Sequence, residues 1–237
     1  MDFELRENFT IPHPLQIVYE TKSFFDFSYL LMNLPPLLSK NKHKKETVLF
    51  LPGFATDDTV TLMFRSYLNY LGLDVRGWGL GVNHGHLPRL LPKVFRLLNE
   101  TYKQKKEKVI LIGWSLGGTL AREAARNYPD LTRLVVTLGS PAIGGPKYTS
   151  IREIFRLNGT NLNQLEEEID RRYEIPIEVP ILSLYSTEDN IVSWQACIDT
   201  YSPKIRHINV QTTHLGLLYS YNTYLYTSQA ISGELQI

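Results

Sequence analysis

The sequence predicts an α/β fold in which helices cover both faces of a mostly parallel central sheet. Six short apolar runs are typical of strands, at residues 48–51, 74–78, 109–112, 134–138, 181–185 and 205–210. Segments with helical periodicity separate or follow them, at residues 58–71, 90–102, 116–127 and 217–232. Because strands alternate with helices, we expect parallel pairing, with the ligand beyond the carboxyl ends of the strands.

Composition limits the classes of function. The chain has 237 residues, 43% of them hydrophobic, which suits one domain spanning 1–237. Its 25 Lys and Arg against 24 Asp and Glu leave a net charge of +1, so nothing favours binding to nucleic acid. With one cysteine, Cys197, and no zinc-type ligand spacing, we expect neither a disulfide nor a metal. We also find no leader or membrane-spanning pattern and expect a cytoplasmic protein.

Two segments flank or interrupt the strand–helix alternation. Residues 1–46 form a predicted N-terminal helical extension, whose Phe- and Leu-rich stretch lies within residues 13–38. This stretch either packs on the main domain or presents a face for weak association with a membrane surface or a partner. Residues 141–178 contain helical patterns without a strand between them. We expect a helical cap insertion there, with an ordinary helical connection as the alternative.

A serine stands directly after the strand predicted at 109–112. The run Gly113-Trp114-Ser115-Leu116-Gly117 fits the G-x-S-x-G pattern and opens a predicted helix. A sharp turn from strand to helix needs small neighbours and directs the hydroxyl away from the sheet, near the helix N-terminus. The pattern therefore predicts Ser115 as a nucleophile. The alternative is a glycine-rich helix start with an incidental N-cap serine.

A serine hydroxyl needs a base, and with this turn the acid and then the histidine follow along the chain. His207 and His214 are the histidines after Ser115. His214 comes just past the last predicted strand, so we predict it as the base. His207 lies inside that strand and is expected to be a packed or a solvated residue.

The predicted orienting acid is Asp189. It lies with Glu188 on the loop after the strand predicted at 181–185, and Glu188 is interpreted as a solvated neighbour. The other candidate carboxylates after Ser115 do not lie on a loop that follows a predicted buried strand, and Asp199 falls in a predicted helix. The acid has to fix the imidazole tautomer and stabilise the imidazolium.

Two backbone N–H groups are predicted to stabilise an oxyanion. One belongs to Leu116, directly after the serine, and the other to Phe54, after Pro52-Gly53 at the end of the first core strand. The alternative for the second is a turn that merely packs the Phe54 ring.

Taken in chain order, these motifs resemble those of the α/β-hydrolase superfamily and its lipase- and esterase-like branch, over about residues 30–225. The matching runs are Val48-Leu49-Phe50-Leu51-Pro52-Gly53-Phe54, Gly77-Trp78-Gly79-Leu80-Gly81-Val82-Asn83, Gly113-Trp114-Ser115-Leu116-Gly117-Gly118, Leu138-Gly139-Ser140-Pro141, Tyr185-Ser186-Thr187-Glu188-Asp189-Asn190-Ile191-Val192 and His214-Leu215-Gly216-Leu217. The resemblance implies a triad of Ser115, Asp189 and His214 and an acyl-enzyme route that uses no cofactor.

The chain departs from many of these relatives in two places. Pro52-Gly53 stands where they carry His-Gly, and Val82-Asn83 stands where they often carry Arg before Asn. Substrate preference is therefore expected to differ. We predict a hydrophobic pocket formed in part by Leu80, Asn83, Trp114 and Trp194, together with Phe54 and the apolar residues of the predicted cap. The alternative is that these aromatic residues belong to the core.

The resulting expectation is a serine hydrolase that cleaves a small-molecule or lipid carboxylic ester. Acyl transfer to an alcohol or amine through the same acyl-enzyme is one alternative. A non-catalytic binding protein that retains the fold is the other. Acyl length, ester against thioester, and oligomeric state are not defined by the sequence.

Overall fold

The central sheet is six-stranded and entirely parallel in the computed structural model, which describes residues 9–39 and 44–237. Its strands are β1 Thr47–Leu51, β2 Asp74–Gly77, β3 Val109–Trp114, β4 Thr132–Leu138, β5 Ile181–Tyr185 and β6 Ile205–Asn209. Each predicted strand is present, with its ends shifted by no more than two residues. The predicted α/β class is confirmed.

Eight α-helices are described within the same residues. They are α1 Ser23–Met32, α2 Leu34–Leu38, α3 Leu62–Tyr70, α4 Leu87–Lys105, α5 Leu116–Asn127, α6 Arg152–Leu157, α7 Leu162–Tyr173 and α8 Tyr221–Ser232. No helix in residues 9–39 and 44–237 is both long and apolar enough to cross a bilayer.

Alternate residues of each central strand enter opposite cores, which is why these strands read as continuous apolar runs. Val48 and Phe50 of β1 lie in one core, together with residues of α1, α3 and α8. Leu49 and Leu51 lie in the other, with residues of α4 and α5. Helices thus cover both faces.

The strand order is β2-β1-β3-β4-β5-β6, so the chain reverses its direction of travel across the sheet between β1 and β3. The carboxyl ends of the strands at such a switch point border a crevice where open α/β sheets bind ligands. Ser115 follows β3, and the Pro52-Gly53-Phe54 turn follows β1, so both predicted elements lie at this point.

The described part of the N-terminal extension is helical mainly between residues 14 and 38, but it is not one helix. A 3₁₀ helix, Pro14–Lys22, is followed by α1 and α2. The imidazole of His13 caps the first of these by accepting from the Leu15 N–H at 3.3 Å. Residues 1–8 and 40–43 of the predicted 1–46 extension lie outside the described residues.

The segment at 141–178 contains a 3₁₀ turn, Gly145–Tyr148, and the helices α6 and α7, without a named strand. Its role as a cap stays a prediction. The predicted helix at 217–232 is divided into 3₁₀ Gly216–Leu218 and α8, because Ser220 is extended between them.

The prediction that Asp199 lies in a helix is wrong. The 3₁₀ helix Trp194–Cys197 ends before it. Its buried carboxylate instead pairs with Arg122 and accepts from the Ser202 hydroxyl at 2.6 Å.

Candidate active site

Ser115 lies on a strained turn between β3 and α5. Its φ and ψ of 54° and −125° are unfavourable for a residue with a Cβ. The glycines two residues before and after Ser115 are required because any side chain there would clash with the backbone. A Cβ on Gly113 would lie 2.3 Å from the carbonyl oxygen of Gly117, and one on Gly117 would lie 2.1 Å from that of Leu51. The G-x-S-x-G pattern therefore has a direct steric cause.

His214 and Asp189 meet at the same end of the sheet. His214 Nδ1 and Asp189 Oδ2 are 2.6 Å apart, and both side chains are buried. The second carboxylate oxygen, Oδ1, accepts from the N–H groups of Ile191 and Val192 at 2.8 and 2.7 Å. The carboxylate is thus held from one side while it orients the imidazole from the other.

The charge environment favours the protonated imidazole. Burial lowers the pKa of His214, but the charge and hydrogen bond of Asp189, together with the charge of Glu20, outweigh it and raise the pKa above 6.5. A base with a raised pKa is a stronger proton acceptor, although it is neutral only at higher pH.

Trp114, the residue before Ser115, connects the serine turn to the loop that carries His214. Trp114 donates from Nε1 to the carbonyl oxygen of His214 at 3.1 Å, and the two rings lie 5.3 Å apart. At Gly139, a Cβ would lie 3.0 Å from both His214 Nδ1 and Asp189 Oδ2, so only glycine leaves room for this pair. In the described part of the chain, the hydroxyl of Ser115 has no hydrogen bond to His214.

The turn after β1 lies against the serine. A Cβ on Gly53 would come within 2.8 Å of the Trp114 ring and 3.2 Å of the Ser115 Cβ. Ala55 has a φ of 59°, so the strain of this site extends to the residue after Phe54. Neither Phe54 nor Leu116 uses its N–H in a hydrogen bond to another described residue. Both donors can therefore serve a bound group.

Asn83 braces that turn from within the protein. Its fully buried side chain donates from Nδ2 to the Pro52 carbonyl oxygen at 2.9 Å. Its backbone accepts from the Ala55 N–H and donates to the Thr56 carbonyl oxygen, each at 2.8 Å. Asn83 thus holds the Phe54 amide in place from behind.

A narrow apolar cavity of about 30 Å³ adjoins Ser115 and Leu116. That space holds roughly two water molecules. Ile151, Phe155 and Ile169 of the 141–178 segment form part of its wall, and the Phe155 ring lies 4.7 Å from that of Phe54.

Phe54 and apolar residues of the 141–178 segment line this cavity, as predicted, but Leu80, Asn83, Trp114 and Trp194 do not. Trp114 supports His214, and Asn83 supports the turn after β1. Leu80 packs against the core shared by α4 and α5, and Trp194 stacks on Tyr185 at 5.9 Å. The rest of the lining comes from Leu87, from Thr119 of α5 and from Ile191 and Val192 after Asp189.

Sequence reasoning missed Glu20. This buried carboxylate accepts from the N–H of His214 at 3.2 Å and of Leu215 at 2.6 Å. It also accepts from Asn190 Nδ2 at 3.2 Å, next to Asp189. The only feature of the sequence that marks Glu20 is its position as an acid within an apolar stretch. That feature does not identify His214, 194 residues further along the chain, as its hydrogen-bond partner.

The sequence matches no family model and no curated protein. Solved structures do match in fold. Alpha/beta hydrolase domain-containing protein 10 from mouse is 21% identical, with a TM-score of 0.54, over 81% of this chain and 90% of that one. A monoacylglycerol lipase from Paleococcus ferrophilus is 16% identical, with a TM-score of 0.59, over 81% and 95%. The Bacillus licheniformis lipase BlEst2 is 12% identical, with a TM-score of 0.60, over 82% and 95%. At these identities the likeness concerns the fold.

Proposed function

This chain has the α/β-hydrolase fold, as its motifs predict, and on that premise we propose that it is a serine hydrolase of carboxylic esters. The observation that carries the proposal is the buried 2.6 Å pair of His214 and Asp189, at the sheet end where a strained turn presents Ser115. Fold alone does not define a reaction, so the proposal rests on these side chains.

In the proposed reaction, the Nε2 of neutral His214 takes the proton of the Ser115 hydroxyl, and the oxygen attacks the ester carbonyl carbon. Asp189 holds Nδ1–H and stabilises the imidazolium that forms. The N–H groups of Phe54 and Leu116 donate to the oxyanion. His214 then protonates the leaving alcohol, and the acyl group remains on the serine.

Water completes the cycle. His214 removes a proton from a water molecule, which attacks the acyl-enzyme carbonyl, and the acid leaves as Ser115 regains its proton. Supplying the acyl group to an added alcohol instead would yield a new ester. The ratio of acid to new ester therefore distinguishes hydrolysis from the transferase alternative.

Covalent labelling tests the proposal. A fluorophosphonate probe should modify Ser115 stoichiometrically, and peptide mapping should locate the adduct on the 109–127 segment. A matched control is Ser150→Ala, which removes another buried hydroxyl and should label like the wild type. Failure of the folded wild type to react would support the non-catalytic alternative and reject the proposal.

Acyl selection is expected to depend on Phe155. Phe155→Ala removes a buried ring from the cavity wall, so the kcat/KM ratio for octanoate over butyrate p-nitrophenyl esters should rise roughly 10-fold. Leu157→Ala alters an exposed side chain of the same helix and should leave the ratio unchanged. An unaltered ratio in a folded Phe155 variant would place the acyl group elsewhere. Thermal unfolding checks that the variant is folded.

A further inference from the structure

The first described helices present an apolar surface to solvent. We call it the outer face, and it consists of exposed side chains from the 3₁₀ helix Pro14–Lys22 and from α1: Leu15, Ile17, Val18, Tyr19, Phe24, Phe25, Tyr29, Leu31 and Met32. Phe25 is 74% exposed and Met32 81%. Apolar surface of this extent on a folded protein usually marks a binding site.

The acidic side chains of this segment face the protein, whereas its basic side chain is exposed to solvent. Its acids are Glu20 and Asp26. Glu20 is turned inward onto the His214 loop, and Asp26 accepts from the Thr212 hydroxyl at 2.8 Å. Lys22 is exposed. The outer face therefore combines apolar groups with a cation and carries no carboxylate within the described residues 9–39.

More positive charge follows in the chain. Residues 40–45 read Lys-Asn-Lys-His-Lys-Lys, and Lys44 and Lys45, which are described, are exposed. An anionic bilayer has a matching chemistry, because its headgroups attract cations while its acyl boundary accepts aromatic and aliphatic side chains. A protein partner would have to supply an equally broad apolar surface of its own.

We propose that the outer face docks on an anionic lipid surface, with 3₁₀ Pro14–Lys22 and α1 lying in the plane of the interface. A groove of about 590 Å³ runs between this segment and Leu215 and Tyr219. Ile17, Phe24 and Phe27 form its apolar lining, and Glu20, Thr21 and Ser23 form its polar lining. Docking thus brings lipid to the side of the protein that carries the His214 loop.

Vesicle sedimentation tests the docking without depending on catalysis. The full chain is mixed with large unilamellar vesicles of phosphatidylcholine, either alone or with 30% phosphatidylserine as a chosen probe composition. Binding should be stronger to the anionic vesicles by roughly 10-fold and should weaken as salt is added. Equal binding to both compositions, or none, would overturn the proposal.

Matched variants locate the surface. Phe24→Glu/Phe25→Glu places two carboxylates on the outer face and should weaken vesicle binding by about 10-fold or more. Leu157→Glu/Ile175→Glu adds the same charge at exposed apolar positions elsewhere and should bind like the wild type. Equal losses in both variants would reject the outer face as the site.

Two further measurements complete the test. Thermal unfolding and circular dichroism should show that both double variants retain the wild-type fold. Sedimentation equilibrium reports on self-association. A wild-type dimer that Phe24→Glu/Phe25→Glu dissociates, without vesicle binding, would assign the outer face to a second copy of this chain and overturn the lipid proposal.

Discussion

Replacing Ser115 with alanine is expected to lower kcat for a p-nitrophenyl ester by roughly 10⁵- to 10⁶-fold, because no other hydroxyl occupies the turn that presents the nucleophile. Residual turnover would come from binding and from the Phe54 and Leu116 donors. The measurement is the steady-state rate at saturating ester, with Ser150→Ala as the control that removes another buried hydroxyl. A folded Ser115→Ala protein with wild-type turnover would refute the assignment of the nucleophile.

Glycine at the same position separates function from stability. With a φ of 54°, the backbone at residue 115 suits glycine better than serine. Ser115→Gly should be as inactive as the alanine variant, yet its free energy of unfolding should rise by about 1 kcal/mol. Denaturant unfolding of the three proteins measures this difference. Equal loss of stability in both variants would argue against strain at the turn.

Replacing Asp189 with asparagine is expected to lower kcat by about 10⁴-fold, because asparagine cannot hold the required tautomer or stabilise the imidazolium of His214. The matched control is Glu188→Gln, which removes the adjacent carboxylate and should retain wild-type activity. If the control instead loses activity and Asp189→Asn does not, Glu188 is the orienting acid.

The pH dependence of the same variant has a defined sign. In the wild type, the pKa of His214 lies above 6.5, and kcat/KM should rise with pH through that pKa because only the neutral imidazole accepts the serine proton. Asp189→Asn removes the main cause of the raised pKa, so the acid limb should move to lower pH while the plateau falls. An unmoved limb would mean that another group controls it.

The contribution of His214 to the free energy of unfolding changes with pH in the direction opposite to kcat/KM. A histidine whose pKa is raised by folding contributes stability that is fully present below its unfolded pKa of about 6.5. This contribution is lost as the pH rises through the raised folded value. Asp189→Asn should therefore remove stability chiefly on the acid side. Denaturant unfolding at pH 5.5 and 8.5 compares the two proteins.

The strands and the serine turn could be predicted because their signals are local. An apolar run such as 48–51 needs no distant information when both faces of its strand are buried, and Gly113 and Gly117 are demanded by contacts within one turn and with the adjacent strand. The assignments of Asp189 and His214 rested on their positions after successive strands. The structure brings the two together, and their catalytic role stays a prediction.

The pocket could be predicted only in part: Phe54 and apolar residues of the predicted cap line the cavity, whereas Asn83 and Trp114 do not. A motif places a residue near the site without defining the direction of its side chain. Asn83 and Trp114 turn inward and support the backbone instead. Which residues of the 141–178 segment reach the cavity depends on tertiary packing, which the helical periodicity of that segment does not define.

The bond between Glu20 and the His214 loop has a consequence for how the site is assembled. In a chain without its first described helices, the N–H groups of His214 and Leu215 would lose their acceptor, and the core shared with α3 and α8 would lose the buried Leu30 side chain. Unpaired buried donors cost about 1–3 kcal/mol each, enough to shift a short loop toward other conformations. The position of the His214 imidazole is therefore expected to depend in part on a contact between residues that are 194 positions apart in the chain.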